Sequence, residues 1–411
     1  DSSRRTPRAA GSRGKCACRD RPSRVYDGGE VSGNPAIYEH LLQQLTEIYG
    51  APELPTTSEF RIPVSVYTDE AQFQAERQLL RRLPIPVAHV SQLPTPGSCL
   101  VHDAIGAPIL VTRTRDGQLR AMLNVCRHRG TRLVQDQGFC NVRKGFRCRY
   151  HGWTYESDGT LTHIPNQVLF PTLKKEEHNL IRVPVQERFG LVWVVGTPGE
   201  HYDFDAMLDP LEEDLAPLGL ETHVVYRRAL SRRKTNWKIV MEAFLDGYHV
   251  RHLHKNTVAP FFQDHRSYTE RTGPHVRSIV GRTGFAEALR SGRIGDIRDI
   301  ATPTYVIFPN TIFVVQPGFV SRATAYPTAI DEICWEHDLI IPEEPQTDKA
   351  RAHWELNYEL IQNGVFDGED LWVCEQIQQG LQSGANEYLT YGTEETPIQW
   401  WHEELERRLG S

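Results

Sequence analysis

Two short segments constrain this chain more than anything else in it: Cys126-Arg-His128 and, after nineteen intervening residues, Cys148-Arg-Tyr-His151. Each brings one thiolate and one imidazole to a tight loop. Such a set suits a [2Fe–2S] cluster in which two cysteines hold one iron and two histidines the other. Histidine is neutral where cysteine would be anionic, so that cluster is easier to reduce than an all-cysteine one. Tetrahedral zinc also takes two Cys and two His, but zinc fingers usually keep the cysteines in one arm and the histidines in the other. Here each arm is mixed. Gly130 and Gly152 follow the ligands closely, which lets main-chain amides approach the cluster sulfurs. This ligand pattern is the Rieske type, and it implies that electrons pass through the chain.

At 411 residues the chain can bury a large core, and its length suggests two or three domains. It is 39 % hydrophobic and 24 % charged with a net charge of −7, the composition of a soluble globular protein. The mild negative balance argues against a nucleic-acid partner. No apolar run reaches the roughly eighteen residues of a membrane span, and no signal peptide opens the chain. Eight cysteines are too sparse for a disulfide scaffold. Cys99, Cys140, Cys334 and Cys374 are expected to be ordinary small buried residues, which places the chain in a reducing cytoplasm. Residues 1–30 are expected to form a basic flexible tail: the first 24 hold seven arginines and one lysine and little to bury. Cys16 and Cys18 have no companion ligands there. The Arg/Ser-rich start also resembles an organellar transit peptide, and whether the tail is native stays open.

Helical spacing runs from Ala36 to Tyr49 and from Asp69 to Leu80, within an N-terminal segment, 31–85, expected to pack on the catalytic domain. Short strands follow at Val87–Val90, Ser98–His102, Ile109–Thr114 and Leu119–Val125, separated by Pro/Gly turns and leading into the first arm. More come after the second arm at Gly159–Thr162 and Gly190–Gly196. A small all-β domain over 86–190, with the cluster arms at its tip, is expected. Beyond it, over 191–411, strands at Val224–Ala229, Tyr305–Phe308 and Thr311–Val315 mix with helices at Trp237–His249, Gln346–Asn363 and Asp370–Gly384. Strands and helices that do not alternate imply an α+β domain. No Gly-x-Gly-x-x-Gly follows a strand, so the chain is not expected to bind NAD or flavin, and its electrons come from another protein.

The second informative segment is Asp246-Gly-Tyr-His249-Val-Arg-His252-Leu-His254. Two histidines and a carboxylate form the facial triad that holds non-haem Fe(II) while leaving positions open for O₂ and substrate. His249 and His254 lie about 140° apart around a straight helix, so they converge only if the helix ends or distorts between them. His249 and His252 suit an undisturbed helix better, and spacing alone does not choose.

The chain resembles the catalytic α subunit of a Rieske non-haem iron oxygenase, the aromatic ring-hydroxylating dioxygenase group. The resemblance rests on Asn124-Val-Cys-Arg-His-Arg-Gly130, Cys148-Arg-Tyr-His-Gly-Trp153, Asn236-Trp-Lys238 and Asp246-x-x-His249-x4-His254, and extends from about Arg61 to the C-terminus. It implies a small all-β Rieske domain beside a larger helix-grip (START-like) catalytic domain with an antiparallel sheet and long helices. It implies that Cys126, His128, Cys148 and His151 hold the cluster, and that His249 and His254, not His252, hold the iron. Asp370 is the implied third ligand, with Asp367 and Glu369 as competitors and a surface helix N-cap as the plain alternative for all three. Asp246 matches the bridging carboxylate between an iron histidine of its own chain and a Rieske histidine of a neighbouring subunit. Relatives acting on quaternary amines often carry glutamate there, so aspartate favours an aromatic or other uncharged substrate. This chain departs from the family in reading Glu242-Ala243 where many relatives have a Glu-Asn pair.

The resemblance further implies mono- or dioxygenation of a small organic substrate with O₂. The two electrons come ultimately from NAD(P)H through a reductase and, in some systems, a ferredoxin. It implies a homotrimer, or an α3β3 assembly with a small β subunit, closed head to tail. Phe244, Phe308, Phe313 and Val315 are candidates for a largely apolar pocket, with ordinary core as the commoner role. Other readings are an N- or O-demethylase acting on methylated amines, a pure Rieske electron carrier, and a zinc-stapled binding protein.

Overall fold

Long buried runs and alternating ones sort the strands into different layers. In the computed structural model, which describes residues 36–50, 58–103, 105–136, 138–142, 144–199, 201–291 and 296–410, Phe319–Ala329 and Glu332–Ile341 are buried almost throughout. Strands covered on both faces must be so. They lie in a seven-stranded antiparallel sheet ordered Val224–Arg233, Glu332–Ile341, Phe319–Ala329, Thr311–Gln316, Ala301–Ile307, His275–Arg282 and Phe262–Thr272. Val224–Arg233, at one edge, is half-exposed along its length. Helices Trp237–Ala243 and Leu371–Gln382 pack together over this sheet, and Ala36–Gly50 lies against its far two strands. The basic tail with Cys16 and Cys18 falls outside the described residues.

Residues 85–194 hold the shorter strands. A five-stranded sheet (Arg182–Val183, Leu119–Leu123, Ile109–Arg113, Ser98–His102, Gly138–Asn141) and the three-stranded sheet of Phe146–Arg147, Thr154–Tyr155 and Leu161–His163 enclose a second apolar cluster that includes Met122, Trp153, Tyr155 and Leu161. The other three-stranded sheet (Val185–Arg188, Leu191–Val194, Ile85–His89) packs into the main core. A buried ionic network joins this part to the large sheet. The fully buried Arg322 donates to the Pro86 carbonyl at 2.9 Å and to Asp338 at 2.6 Å, and pairs with Glu336. His102 approaches the same Glu336 carboxylate at 3.5 Å.

Three expectations change. Cys99 and Cys140 are not ordinary thiols: they face each other across Ser98–His102 and Gly138–Asn141, Cα atoms 4.9 Å apart, with their sulfurs bonded. That spacing lies within disulfide range, and it removes two of the four thiols from the cytoplasmic argument. The helix expected over 237–249 stops at Ala243. Asp246 and Gly247 are poor helix formers, and the Asp246 carboxylate takes the Tyr248 N–H instead, at 2.5 Å. Conversely, the helices expected at 346–363 and 370–384 run together through a π-helical stretch, Glu359–Asp370. Gly364 and Gly368 lie inside it and weaken the ordinary α-ladder there.

Candidate metal centres and the cavity beside them

The two Cys/His arms share one backbone plan. Cys126 N–H donates to the Thr131 carbonyl and Cys148 N–H to the Trp153 carbonyl, both at 2.8 Å; Gly130 and Gly152 N–H donate back to Cys126 and Cys148, both at 3.0 Å. Each loop turns on its glycine at φ 74°, the left-handed region glycine adopts freely. The loops bring His128 and His151 together, ring centroids 4.5 Å apart, and Trp153 stacks on His128 at 4.8 Å and 6°. The Tyr155 hydroxyl accepts the Arg127 N–H at 3.0 Å and lies 3.4 Å from Cys126 Sγ. Burial raises the Cys126 thiol pKa, and the Tyr155 hydroxyl pulls against it. His128 Nδ1 is buried without a hydrogen-bond partner among the described residues. A buried, unpaired imidazole nitrogen beside two buried cysteines is a donor set that a mixed-ligand cluster satisfies.

The helix break after Ala243 makes the second centre. His249 and His254 stand on either side of a single helical turn, Val250–Leu253. Their outer ring nitrogens meet carboxylates: His249 Nδ1 lies 3.1 Å from Asp246 Oδ2, and His254 Nδ1 lies 2.7 Å from Glu369 Oε2. Carboxylates only accept, so both Nδ1 atoms carry the proton and both Nε2 atoms present lone pairs. Those Nε2 atoms are 3.2 Å apart, and Asp370 Oδ1 lies 3.1 Å from one and 3.6 Å from the other. Three metal-ligating atoms converge, all within 4.8 Å of one another, and two imidazoles plus a carboxylate suit non-haem Fe(II). In the metal-free chain, burial lowers the His254 pKa, but Asp370 and Glu369 outweigh it and hold the pKa above the ordinary histidine value.

Asp370 is buried at the last turn of the π-helical stretch, not at a surface N-cap. Of its competitors, Glu369 holds the His254 ring and also accepts the Thr257 hydroxyl at 2.6 Å, while Asp367 pairs with Arg233. His252 is exposed. Sequence reasoning missed Tyr155 as a partner of Cys126 and Glu369 as a partner of His254, because nothing local marks which side chain supports another. At the family departure, Glu242 accepts from Tyr67, Tyr391 and His402 at 2.7–2.8 Å and anchors its helix.

Two concavities meet at the triad. An inner cavity of about 180 Å³ lies between the helices and the large sheet, and an outer hollow of about 1200 Å³ opens to the surface. Ala243, Asp246, His249 and Asp370 line both, so they form the partition. Of the apolar pocket candidates only Phe244 lines the cavity. Strand parity decides the rest: Val314 and Gln316 face it, so Phe313 and Val315 point to the other face, and Phe308 is also core.

Known proteins match this arrangement. Residues 84–174 match the Rieske [2Fe-2S] domain, and residues 220–411 match the ring hydroxylating alpha subunit catalytic domain. The carnitine monooxygenase oxygenase subunit of Escherichia coli (strain K12) is 27 % identical over 337 residues, covering 78 % of this chain and 84 % of that protein. The biphenyl 2,3-dioxygenase subunit alpha of Rhodococcus jostii (strain RHA1) is 32 % identical over 375 residues, 78 % of each chain. Among solved structures, a quaternary ammonium Rieske monooxygenase with L-carnitine superposes with a TM-score of 0.73 at 22 % identity, covering 87 % of this chain and 99 % of that one. Naphthalene 1,2-dioxygenase from Rhodococcus sp. bound to indole superposes at 0.70 with 18 % identity, covering 90 % and 97 %. The chain belongs to the α subunits of the Rieske ring-hydroxylating oxygenases.

Proposed function

We propose that this chain is the terminal oxygenase of a multicomponent system that hydroxylates an aromatic or other small organic substrate. The partition between hollow and cavity carries the reading: one triad is reachable by electrons from one side and by substrate from the other. Cys126, His128, Cys148 and His151 are assigned to the cluster, and His249, His254 and Asp370 to the mononuclear iron. When bound, the cluster passes on single electrons and the iron activates O₂ beside the substrate. Asp246 and Glu369 hold the two Nδ1–H groups so that both Nε2 lone pairs aim at one point. The apolar wall of the cavity keeps water from that point.

Electrons are supplied by a reductase or ferredoxin and enter the hollow from a second copy of the chain. Five acids, Glu242, Asp246, Asp370, Glu387 and Glu395, line the hollow, with no lysine or arginine among the described residues. The cluster tip offers the exposed Arg127, Arg129, Arg147 and Arg149, with Tyr150 and Leu169 exposed beside them. The two surfaces are complementary in charge and belong to one chain, which supports a head-to-tail ring closing as a trimer. Sedimentation should give a trimer that weakens at high salt; a monomer at every salt concentration contradicts the ring.

Metal analysis tests the assignment: about three irons per chain are expected, two in the cluster and one on the triad. Asp370→Ala should remove the third while leaving the visible spectrum of the cluster intact. Zinc without iron, or a third iron retained in that variant, refutes it.

A further inference from the structure

The sheet wall of the cavity has a chemical direction. Alternate residues of His275–Arg282 face it, Ser278 and Val280 among them, and Arg282 continues the same face at the strand end. Arg282 Nη1 donates to the Thr302 hydroxyl at 3.1 Å and to Gln316 Oε1 at 3.0 Å. A guanidinium has no acceptor, so it commits both partners as acceptors toward itself. The Thr302 O–H and the Gln316 NH₂ are therefore left to donate into the cavity that both residues line. Thr302 is 1 % exposed, so a donor left unmatched there is costly. Across the cavity, the helix wall presents Phe244, Val365 and Phe366 together with the acids Asp246 and Asp370.

We propose, resting on the reading of this cavity as the substrate site, that it takes a single-ring substrate carrying a carboxylate. Thr302 and Gln316 bind the carboxylate oxygens, both held in place from behind by Arg282. Asp246 and Asp370 repel that group, which turns the ring toward the triad. The size agrees: a cavity of about 150 Å³ holds one benzene, and this one offers about 180 Å³.

The test is calorimetric titration of the full-length, iron-loaded protein with benzoate, toluene and tetramethylammonium. Benzoate should bind about tenfold or more tighter than either of the others. Gln316→Leu and Thr302→Val should each weaken benzoate by about 10- to 100-fold and leave toluene within about twofold. Arg282→Met should act in the same direction; if it does not fold, the other two variants and the wild-type panel decide. Toluene or tetramethylammonium binding as tightly as benzoate, benzoate indifferent to Gln316→Leu, or no binding of benzoate overturns the proposal. Iron counted on the same sample separates the two ideas. About three irons per chain without benzoate binding sinks this inference alone, and a missing third iron sinks the oxygenase reading.

Discussion

His249 and His254 each turn one ring nitrogen to a supporting carboxylate and the other toward Asp370 Oδ1, and carboxylates make that division. Glu369 is the sharper case because it stood as a rival ligand and turns out to hold His254 by Nδ1, 2.7 Å away. Glu369→Leu should weaken iron binding at the triad by about 10- to 100-fold, measured by chelator competition, with cluster absorbance unchanged. Unaltered iron affinity would mean that the ring is oriented by packing alone. Which of the neighbours Asp367, Glu369 and Asp370 points inward could not be read from their order. A single residue step turns a helical side chain by about 100°, and the π-helical stretch alters that step.

At the level of elements, the arms are two copies of one loop whose glycines differ in surroundings. A Cβ on Gly130 meets nothing within 4 Å, whereas on Gly152 it lies 3.0 Å from Pro165 Cγ and close to Arg147. Alanine at either site bears the left-handed penalty of roughly 1–2 kcal/mol. Gly152→Ala adds the contact with Pro165, so it should lose more cluster per chain than Gly130→Ala, read from visible absorbance. The reverse order would falsify this account of the loops. Elements with strong periodicity were legible: Ala36–Gly50, Glu70–Arg81 with Asp69 accepting from the Gln72 N–H at 3.0 Å, and Ser98–His102. The Cys99–Cys140 pair was not, because 41 residues separate the two and only strand pairing brings them opposite.

For the molecule as a whole, buried histidines set an acid limit. His89, His275 and His337 lie in the core, and burial holds each pKa at about 4 against an ordinary 6.5. His89 Nδ1 accepts from Ser91 N–H and His275 Nδ1 from Phe308 N–H, so protonation must break those bonds. The unfolded chain takes up protons near 6.5 and the folded chain only near 4. Stability is therefore whole above 6.5, falls as pH drops through that window and levels off below it for these groups. A urea midpoint constant from about pH 7 to about pH 4.5 would contradict this. By itself the sequence determined the donor chemistry: two mixed Cys/His arms and a histidine pair beside an acid, because ligands in a loop lie close along the chain. It also determined the division into a small all-β part and an α+β part, since hydrophobic period is a local property. Only the tertiary structure decided which downstream acid approaches the two histidines, which strand face lines the cavity and which atoms of Thr302 and Gln316 accept from Arg282. Those depend on register, helix phase and hydrogen-bond direction between segments far apart in sequence, where one residue of slip reverses the answer.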